Sequence, residues 1–306
     1  MDILADLNPT QRQAVTTVDG PVLVLAGAGS GKTRVLTRRI AYLLALGVSP
    51  FEILAITFTN KAAREMKERV IQLMGDGPAR DIWISTFHAA CVRILRREIE
   101  VLGYSRQFTI LDSQDQQAVI KECLRELNLD AKRYAPAAVA ATISQAKNRL
   151  LGPAAWQQQA RTFFEERVAQ VYNLYQRRLE DASALDFDDL LRLTVLLFSQ
   201  YPAVLARYQQ RFQYLLVDEY QDTNYAQYRL VNLLAAVHRN LFVVGDTDQS
   251  IYGWRGADIS NILNFERDYP EATIILLEQN YRSTQNILDA ANSVIQHNRF
   301  RQHKRL

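Results

Sequence analysis

The chain has 306 residues, so two or three structural units are expected, and its 48% hydrophobic and 23% charged content is typical of a soluble globular protein. No apolar run approaches the roughly 20 residues needed to cross a bilayer, and the first residues carry no secretion signal, so a cytoplasmic protein without a membrane partner is expected. The spacing of the two cysteines excludes a disulfide framework and a cysteine zinc site. Because the net charge is only +3, any nucleic acid would have to be held by a local basic groove.

The first third of the chain alternates short apolar strands with helical patterns. Asn8 and Pro9 predict a helix start, with Asn8 as the capping acceptor and Pro9 as the first helical residue. Asn60 is expected to cap the helix that follows the second strand. Repeated strand-then-helix order is typical of a parallel, doubly wound α/β sheet. The strands predicted here are residues 21–25, 53–58 and 82–85.

The middle of the chain, residues about 112–184, breaks this order. Apolar residues recur there at helical spacing and no strand is predicted, so we expect a helical insertion.

The basic end, Arg299–Leu306, is either a free tail or the place at which a longer protein was cut. A helix is expected at about residues 284–297, after the last strand. The strands predicted beyond the insertion are residues 214–217, 241–244 and 273–277.

A glycine-rich turn joins the first strand to the next helix and matches the phosphate-loop pattern GxxxxGK[ST], with alanine at its first position. Its glycines allow successive backbone N–H groups to turn inward around a β-phosphate, and the helix N-terminus adds partial positive charge. Lys32 is expected to reach the β- and γ-phosphates of ATP, and Thr33 to bind Mg²⁺. The loop consists of Ala26, Gly27, Ala28, Gly29, Ser30, Gly31, Lys32 and Thr33.

The second half of a P-loop site is an acidic residue at the end of another buried strand. Asp218 and Glu219 directly follow the apolar residues 214–217. Alone, such a pair is usually a solvated turn, but together with the phosphate loop it predicts a catalytic site. Asp218 is expected to bind Mg²⁺, and Glu219 to accept a proton from the attacking water.

Taken with these two sites, the segment Asp218–Asp222 resembles the second motif of superfamily 1A DNA helicases, the UvrD/PcrA/Rep family. Other segments resemble further motifs of that family in the same order, and the likeness covers essentially the whole chain. Motifs V and VI have no counterpart, because the sequence stops first. The matching segments are Asn8–Val15 (Q motif), Thr57–Ala63 (motif Ia), Ser85–Ala89 (the segment after it), Val244–Ala257 (motif III) and Leu277–Thr284 (motif IV).

The resemblance implies a fold and a domain organisation. The fold is α/β, with a RecA-like P-loop parallel sheet, an inserted helical subdomain and a truncated second RecA-like domain. Residues 1–110 and 185–276 are expected to form domain 1A, residues 111–184 the helical insertion 1B, and residues 277–306 the start of domain 2A.

The resemblance also implies roles around the nucleotide. Gln11 is expected to read the adenine edge with its amide, and Tyr281 to stack on the base. Gln249 is expected to link the γ-phosphate and the attacking water to the DNA-binding segment. Arg282 is expected to stabilise charge that builds on the γ-phosphate, as an arginine finger does. Arg34, beside the loop, either contacts the nucleotide or is an exposed helix arginine.

A motor that moves along a single strand needs aromatic faces for bases and polar or basic groups for phosphates. By the resemblance, Tyr252 and Trp254 stack on bases and Arg255 lies near the backbone. Phe58 and Phe187 are expected to form neighbouring pockets, although a core position is an equal alternative for Phe58. The remaining expected DNA contacts are Asn60, Lys61, Thr86 and His88.

Three carboxylates near Phe187, namely Asp186, Asp188 and Asp189, could suggest a nuclease. They stand at the start of a predicted helix, where the helix dipole favours acidic residues, and we prefer that structural explanation. His88 has no partner at metal-ligand spacing, so it is not expected to bind a metal.

The expected function of the full-length protein is that of an ATP-driven 3′-to-5′ translocase and helicase on single-stranded and partly duplex DNA. Repair or replication proteins are its expected partners. The 306-residue chain alone is expected to be a monomer that binds Mg·ATP weakly and hydrolyses it poorly. Two alternatives remain open: a helicase subunit of a RecB/AddA-like helicase–nuclease, and a nucleotide-binding switch without motor activity. RNA is an alternative track, since stacking and phosphate contacts barely distinguish the sugars.

Overall fold

The structure is a computed structural model that describes residues 2–297, except for the side chains of Asp76, Pro78 and Arg255. The basic segment Arg299–Leu306 lies outside the described residues. The strands are β1 (Val22–Ala26), β2 (Ile53–Thr57), β3 (Trp83–Thr86), β4 (Thr109–Ile110), β5 (Ala184–Leu185), β6 (Tyr214–Val217), β7 (Leu241–Gly245) and β8 (Thr273–Leu277). The α-helices are α1 (Pro9–Thr16), α2 (Lys32–Ala45), α3 (Asn60–Met74), α4 (Asp76–Arg80), α5 (Phe87–Glu98), α6 (Ser113–Glu126), α7 (Pro136–Asn148), α8 (Pro153–Gln159), α9 (Phe163–Asp181), α10 (Phe187–Gln200), α11 (Pro202–Arg211), α12 (Tyr225–Ala235), α13 (Ser260–Leu263), α14 (Phe265–Asp268) and α15 (Gln285–Ile295).

The six predicted strands are confirmed to within one residue at each end, because each is a short run of apolar side chains. The predicted start of α1 is also confirmed: Asn8 caps the helix in a reciprocal capping box with Gln11, and Pro9 is its first residue. The predicted cap of α3 is wrong by one residue. Thr59, in extended conformation, accepts the N–H of Ala62, and Asn60 is already helical.

The main sheet contains six strands in the order β3-β2-β6-β7-β1-β8, and every neighbouring pair is parallel. Consecutive strands of the chain are therefore joined by crossovers that carry helices, as the strand-then-helix pattern predicts. Strand β1 lies between β7 and β8, and β6 lies between β2 and β7. The loops after β1 and β6 consequently leave the same edge of the sheet, one strand apart.

The described residues form two compact units, and the first contains this sheet within residues 2–87, 206–223 and 231–297. Its core consists of the strand side chains and the inward faces of α1, α2 and α3. Val24, Val35, Leu216 and Val244 are among its fully enclosed members. This unit buries apolar side chains on both faces of the sheet, which explains why its strands read as continuous hydrophobic runs.

The second unit contains residues 88–205 and 224–230 and is almost entirely helical. Its core is formed by α6, α7, α8 and α9, with Ile143, Val168 and Tyr172 at the centre. The strands β4 and β5 form a two-residue parallel pair that the sequence did not reveal, because two residues are too few to show a period.

Within residues 2–297, no single helix combines the length and apolar content needed to cross a bilayer. Only the bent pair α10 and α11 meets both criteria jointly.

Arg39 is a buried cation in the first unit that the sequence did not point to. Its guanidinium donates hydrogen bonds to the backbone carbonyls of Ala14, Thr17 and Val18, and it lies 4.2 Å from the ring centroid of Phe242. Burial lowers the pKa of Arg39 to about 9. Arg39 thus links the end of α1 to α2 by hydrogen bonds from its planar guanidinium, a geometry of N–H donors that no other side chain has.

We expect Arg39→Met to lower the free energy of unfolding by about 1–3 kcal/mol, because three inward-facing carbonyls lose their donor while the apolar stem is retained. Urea unfolding followed by circular dichroism measures the change. Arg69→Met, at an exposed position of α3, is the matched control and should have little effect. Equal stability of the two variants would contradict the role given to Arg39.

Candidate functional site

The candidate nucleotide residues lie in the first unit and follow the carboxyl ends of its parallel strands. The phosphate loop follows β1, the acidic pair follows β6, Gln249 follows β7 and Arg282 follows β8. In a parallel sheet these ends share one edge, where ligands of doubly wound folds bind.

The phosphate loop requires glycine at two positions. Gly29 and Gly31 have φ of +74° and +94°, a region that other residues avoid. A side chain at Gly31 would also meet the amide nitrogen of Gln11 at 2.8 Å, and one at Gly29 would meet Asn280 and Arg282 at 2.8 Å. The loop is thus enclosed on one side by α1 and on the other by the segment after β8.

Gln11 is buried and holds the loop rather than standing free in the site. Its amide nitrogen donates to the carbonyl of Ser30 at 2.9 Å, and its amide oxygen accepts the N–H of Asn8 at 3.2 Å. Ser30 in turn donates its hydroxyl to the carbonyl of Gly27 at 2.7 Å. The Q-motif glutamine therefore connects the capping box of α1 to the shape of the phosphate loop.

The structure brings Lys32 and Glu219 together. The ammonium nitrogen of Lys32 lies 3.0 Å from Oε2 of Glu219 and 3.4 Å from Oε1 of Gln249. Three segments that are far apart in the chain thus converge on one lysine. The side chain of Lys32 is 12% exposed and that of Glu219 is 34% exposed, so solvent reaches the pair from the side of the carboxylate.

The acidic pair is held in an unusual local geometry. Glu219 has φ +50° and ψ +43°, a left-handed conformation that costs energy for a residue with a side chain. Its backbone N–H donates to Oδ1 of Asp218 at 3.0 Å, and Asp218 itself is buried. The turn brings the carboxylate of Glu219 to Lys32 of the phosphate loop, while the carboxylate of Asp218 stays buried beneath the turn.

Negative charge is in excess at this edge. Burial and the neighbouring Glu219 raise the pKa of Asp218 to about 6, and Lys32 opposes the shift. The same two causes raise the pKa of Asp222 to about 6. One ammonium faces these carboxylates, so the site would favour an additional cation.

Gln221 was not singled out from the sequence, although it organises the site. Its amide nitrogen donates to Glu219 at 2.9 Å and to Asp222 at 3.1 Å, and its amide oxygen accepts the N–H of Asp246 at 2.9 Å. Gln249 donates to the carboxylate of Asp246, which closes the network. The only available signal was the place of Gln221 inside the motif II segment.

Asn280 is the second residue that sequence reasoning missed. Its amide nitrogen donates to the carbonyl of Ala28, and its amide oxygen accepts the N–H groups of Arg282 and Ser283, each at 2.8 Å. The N–H of Tyr281 donates to the carbonyl of Gly29 at 3.0 Å. The motif IV segment is therefore hydrogen-bonded directly to the phosphate loop, and Arg282 lies beside that loop.

Tyr281 is exposed, and its hydroxyl accepts a hydrogen bond from Asn8 at 2.8 Å and donates to Gln279 at 2.8 Å. Tyr281 and Gln11 thus both lie at the start of α1.

Arg34 is exposed and donates to the backbone carbonyl of Asp6 at 3.3 Å, which holds it on the surface of α2.

The candidate DNA residues of the first unit include an exposed aromatic pair. Trp254 is 74% exposed, and its ring centroid lies 6.5 Å from that of the half-exposed Tyr252. Ile251 beside them is also exposed, so apolar surface is concentrated on the loop after β7. The backbone of Arg255 belongs to the same loop, but its side chain lies outside the description.

The remaining first-unit candidates follow β2 and β3. Phe58 is half-buried and packs edge-to-face on the buried Phe87, with ring centroids 5.7 Å apart. Asn60 and Lys61 are exposed at the start of α3, and Lys61 lies 3.9 Å from Glu65 in the next turn. Thr86 ends β3 and is buried.

Two candidates belong to the second unit and contact each other. The rings of His88 and Phe187 meet edge-to-face with centroids 5.9 Å apart. Phe187 is 51% exposed, and burial lowers the pKa of His88, which favours the neutral imidazole.

The acidic residues around Phe187 have structural partners. Asp186 caps α10 by accepting the N–H of Asp189 at 2.8 Å, as the structural explanation expected. Asp189 is fully buried beside Lys147 and Arg192. Among residues 2–297, no group of three or more histidine, cysteine or acidic side chains is arranged to hold a metal ion.

Comparison with known proteins agrees with this geometry. Residues 7–270 match the family model of the UvrD/REP helicase N-terminal domain. The chain belongs to this family. Its relatives include the ATP-dependent DNA helicases PcrA of Leuconostoc citreum, 58% identical over 98% of the chain, and of Bacillus subtilis strain 168, 59% identical over 99% of the chain. The PcrA helicase of Staphylococcus aureus strain Mu50 is also 59% identical over 99% of the chain.

The chain spans 40–42% of the length of these relatives. Family membership accounts for the order of the motifs along the chain, and the parallel sheet explains why segments so far apart in sequence reach one edge.

The pKa of the Asp188 carboxyl reports on burial and charge at the start of α10, and it can be tested through the pH dependence of stability. Burial and the neighbouring Asp186 raise the pKa of Asp188 to about 6, with Ser144 and Lys147 opposing. An acid whose pKa is raised on folding contributes stability below its unfolded pKa and loses that contribution as pH rises through the folded pKa, here between about pH 4 and pH 6.

We therefore expect Asp188→Asn to stabilise the chain by about 1–2 kcal/mol near pH 7.5, and the gain to disappear near about pH 4. Thermal unfolding at a series of pH values measures this. Asp181→Asn, at an exposed carboxylate of the same unit, is the control. A gain that does not change with pH would show that Asp188 is not held as described.

Proposed function

We propose that this chain is the ATP-binding portion of an ATP-dependent DNA helicase that moves 3′ to 5′ on single-stranded DNA. The observation that carries the proposal is the contact of Lys32 with Glu219 at 3.0 Å, which joins the phosphate loop to the acidic pair. The proposal extends to the domain division, with residues 1–110 and 185–276 as domain 1A, 111–184 as 1B and 277–306 as the start of 2A.

Magnesium suits the residues at this edge. Thr33 and Asp218 offer a hydroxyl and a carboxylate, the hard oxygen ligands that Mg²⁺ prefers, and phosphate oxygens and water would complete the coordination. Burial, and after it the negative charge of Glu219, raise the pKa values of Asp218 and Asp222, and a divalent cation would neutralise that charge. When bound, Mg²⁺ neutralises phosphate charge and polarises phosphoryl oxygens.

The chain's own residues supply the remaining parts of an ATPase site. The backbone N–H groups of the loop cradle the phosphates, and Lys32 exchanges its ion pair with Glu219 for the β- and γ-phosphates. Glu219, released from the ammonium, accepts a proton from the attacking water. Gln249, within hydrogen-bond reach of Lys32, senses the γ-phosphate, and Arg282 stabilises charge that builds there.

The base of ATP is assigned to the start of α1. Tyr281 stacks on the adenine, and Gln11 reads its edge. In the described state the amide of Gln11 is bonded to Ser30 and Asn8, so reading the base means exchanging one of these bonds for a bond to the adenine. Arg34 is a weaker candidate, because its guanidinium already has a carbonyl partner.

DNA is assigned to the aromatic and polar residues named above. Tyr252 and Trp254 stack on bases, and Phe58 and Phe187 contact neighbouring ones. The 74% exposure of Trp254 supports this role, since its ring is accessible to a base together with the neighbouring Tyr252 and Ile251. Asn60, Lys61, Thr86, His88 and Arg255 hold phosphates or base edges.

The relatives of this chain include DNA helicases named PcrA, which favours a DNA track over an RNA track and a motor over a switch. A helicase–nuclease subunit is the less favoured alternative. Repair or replication proteins are proposed as partners of the whole protein, and a monomer as the state of the chain.

Lys32→Ala should weaken Mg·ATP binding by about 10- to 100-fold, the loss of one charge-assisted contact in a partly buried site. Fluorescence titration with a labelled ATP analogue measures the dissociation constant. Lys121→Ala, at an exposed position of α6, is the matched control and should bind as the unaltered chain does. Unchanged affinity in Lys32→Ala would remove the loop from the proposed site.

Trp254→Ala should weaken binding of a single-stranded oligothymidylate by about 5- to 100-fold, because a base loses the indole on which it stacks. Fluorescence anisotropy measures the affinity. Phe51→Ala, at a comparably exposed aromatic of the same unit, is the control and should not change it. Equal affinities of the two variants would exclude Trp254 from the track.

A further inference from the structure

Lys147, at the end of α7, is a fully buried lysine in the helical unit, with 0% exposure. A buried ammonium is costly unless it is paired, so its partners identify what it does. Its nitrogen lies 2.7 Å from Oδ2 of Asp186 and 2.7 Å from Oδ2 of Asp189.

These two carboxylates bracket Phe187, one residue before it and two residues after it. Asp186 is the cap of α10 and Asp189 lies in its first turn. The ammonium of Lys147 therefore binds both acids on the buried side of the start of α10. Phe187, between the two acids, points outward and is 51% exposed.

Other groups complete the cluster without replacing Lys147. Asp186 also accepts the hydroxyl of Tyr175 at 2.8 Å, and Asp189 also accepts the guanidinium of Arg192 at 3.0 Å. Tyr175 is neutral, so Lys147 is the cation that touches Asp186 among the ion pairs of the described residues. Removing the lysine would leave the capping carboxylate buried without a counter-charge.

We propose that Lys147 is a positioning residue for single-stranded DNA, which holds the start of α10 so that Phe187 and His88 present a fixed edge-to-face aromatic surface to a base. The proposal rests on the proposed function, since it assumes that Phe187 contacts DNA. It adds a residue of the helical insertion that itself stays out of reach of the nucleic acid.

Rigidity is the physical reason for this role. An exposed aromatic ring binds a base well when its backbone is already ordered, because ordering it on binding would subtract from the affinity. Phe187 leaves the helix within its first turn, where an unrestrained end frays. The ammonium of Lys147 binds both Asp186 and Asp189 and so restrains the backbone at the start of α10. The edge-to-face contact with His88 restrains the ring of Phe187 itself.

The test is a double-mutant cycle on the chain, with a labelled oligothymidylate as the probe and anisotropy as the readout. Phe187→Ala and Lys147→Met should each weaken binding by about tenfold, within the range expected for one stacked base. The double variant should bind no more weakly than Phe187→Ala alone, because Lys147 acts only through the ring.

A destabilised control separates positioning from folding. Ile143→Ala removes a buried side chain one turn earlier on α7 without touching the ionic cluster, and it should lower the melting temperature while leaving the affinity unchanged at a temperature at which all variants are folded. A loss of affinity in Ile143→Ala equal to that in Lys147→Met would overturn the proposal, since general loosening of the unit would then suffice.

Asp186→Asn covers the case in which Lys147→Met does not fold, since asparagine still caps a helix but no longer pairs with the ammonium. It should weaken DNA binding and show the same lack of additivity with Phe187→Ala. Normal affinity in a folded Lys147→Met or in Asp186→Asn, or additive losses, would overturn the inference alone. Normal affinity in Phe187→Ala would instead overturn the DNA contact on which it rests.

Discussion

A single ion pair at the carboxyl edge of a parallel sheet underlies the proposed chemistry. Lys32 extends from the first turn of α2, and Glu219 leaves a left-handed turn after β6, so their contact at 3.0 Å requires both strands to be in register with β7 between them. Burial and the neighbouring Glu219 raise the pKa of Asp218, and the lysine opposes that shift by offsetting part of the carboxylate charge. A bound polyphosphate would compete for the same ammonium, and this exchange links nucleotide binding to the freedom of Glu219.

Amide side chains hold the segments of the site together. Gln11, Gln221 and Asn280 each use both ends of the amide group. Gln221 and Asn280 each join segments that follow different strands, and Gln11 joins the start of α1 to the phosphate loop. An amide is suited to this because it donates and accepts without adding charge to an already crowded electrostatic environment. The phosphate loop is consequently shaped by its neighbours as much as by its own glycines, two of which leave no room for a side chain.

Charge is used differently in the helical unit. There Lys147 and Arg192 neutralise buried carboxylates at the start of α10, so acidic residues that could resemble a nuclease site serve as a helix cap and its counter-ions. Breaking such a cluster is costly, because it leaves a buried charge unpaired, whereas the exposed Phe187 at the same turn can change at little cost in stability. A stacking contact with a nucleobase requires an exposed aromatic ring whose backbone is held rigidly.

The sequence by itself determined the α/β class, the positions of the six strands of the main sheet, the phosphate loop and the acidic pair, because apolar runs and glycine patterns depend on nearest neighbours in the chain. It erred by one residue at the cap of α3, where Thr59 and Asn60 are both suitable acceptors and only the backbone conformation decides. Tertiary structure alone decided that Gln221 and Asn280 join distant segments and that Arg39 and Lys147 are buried. Those outcomes depend on contacts between residues far apart in sequence, which no local pattern encodes.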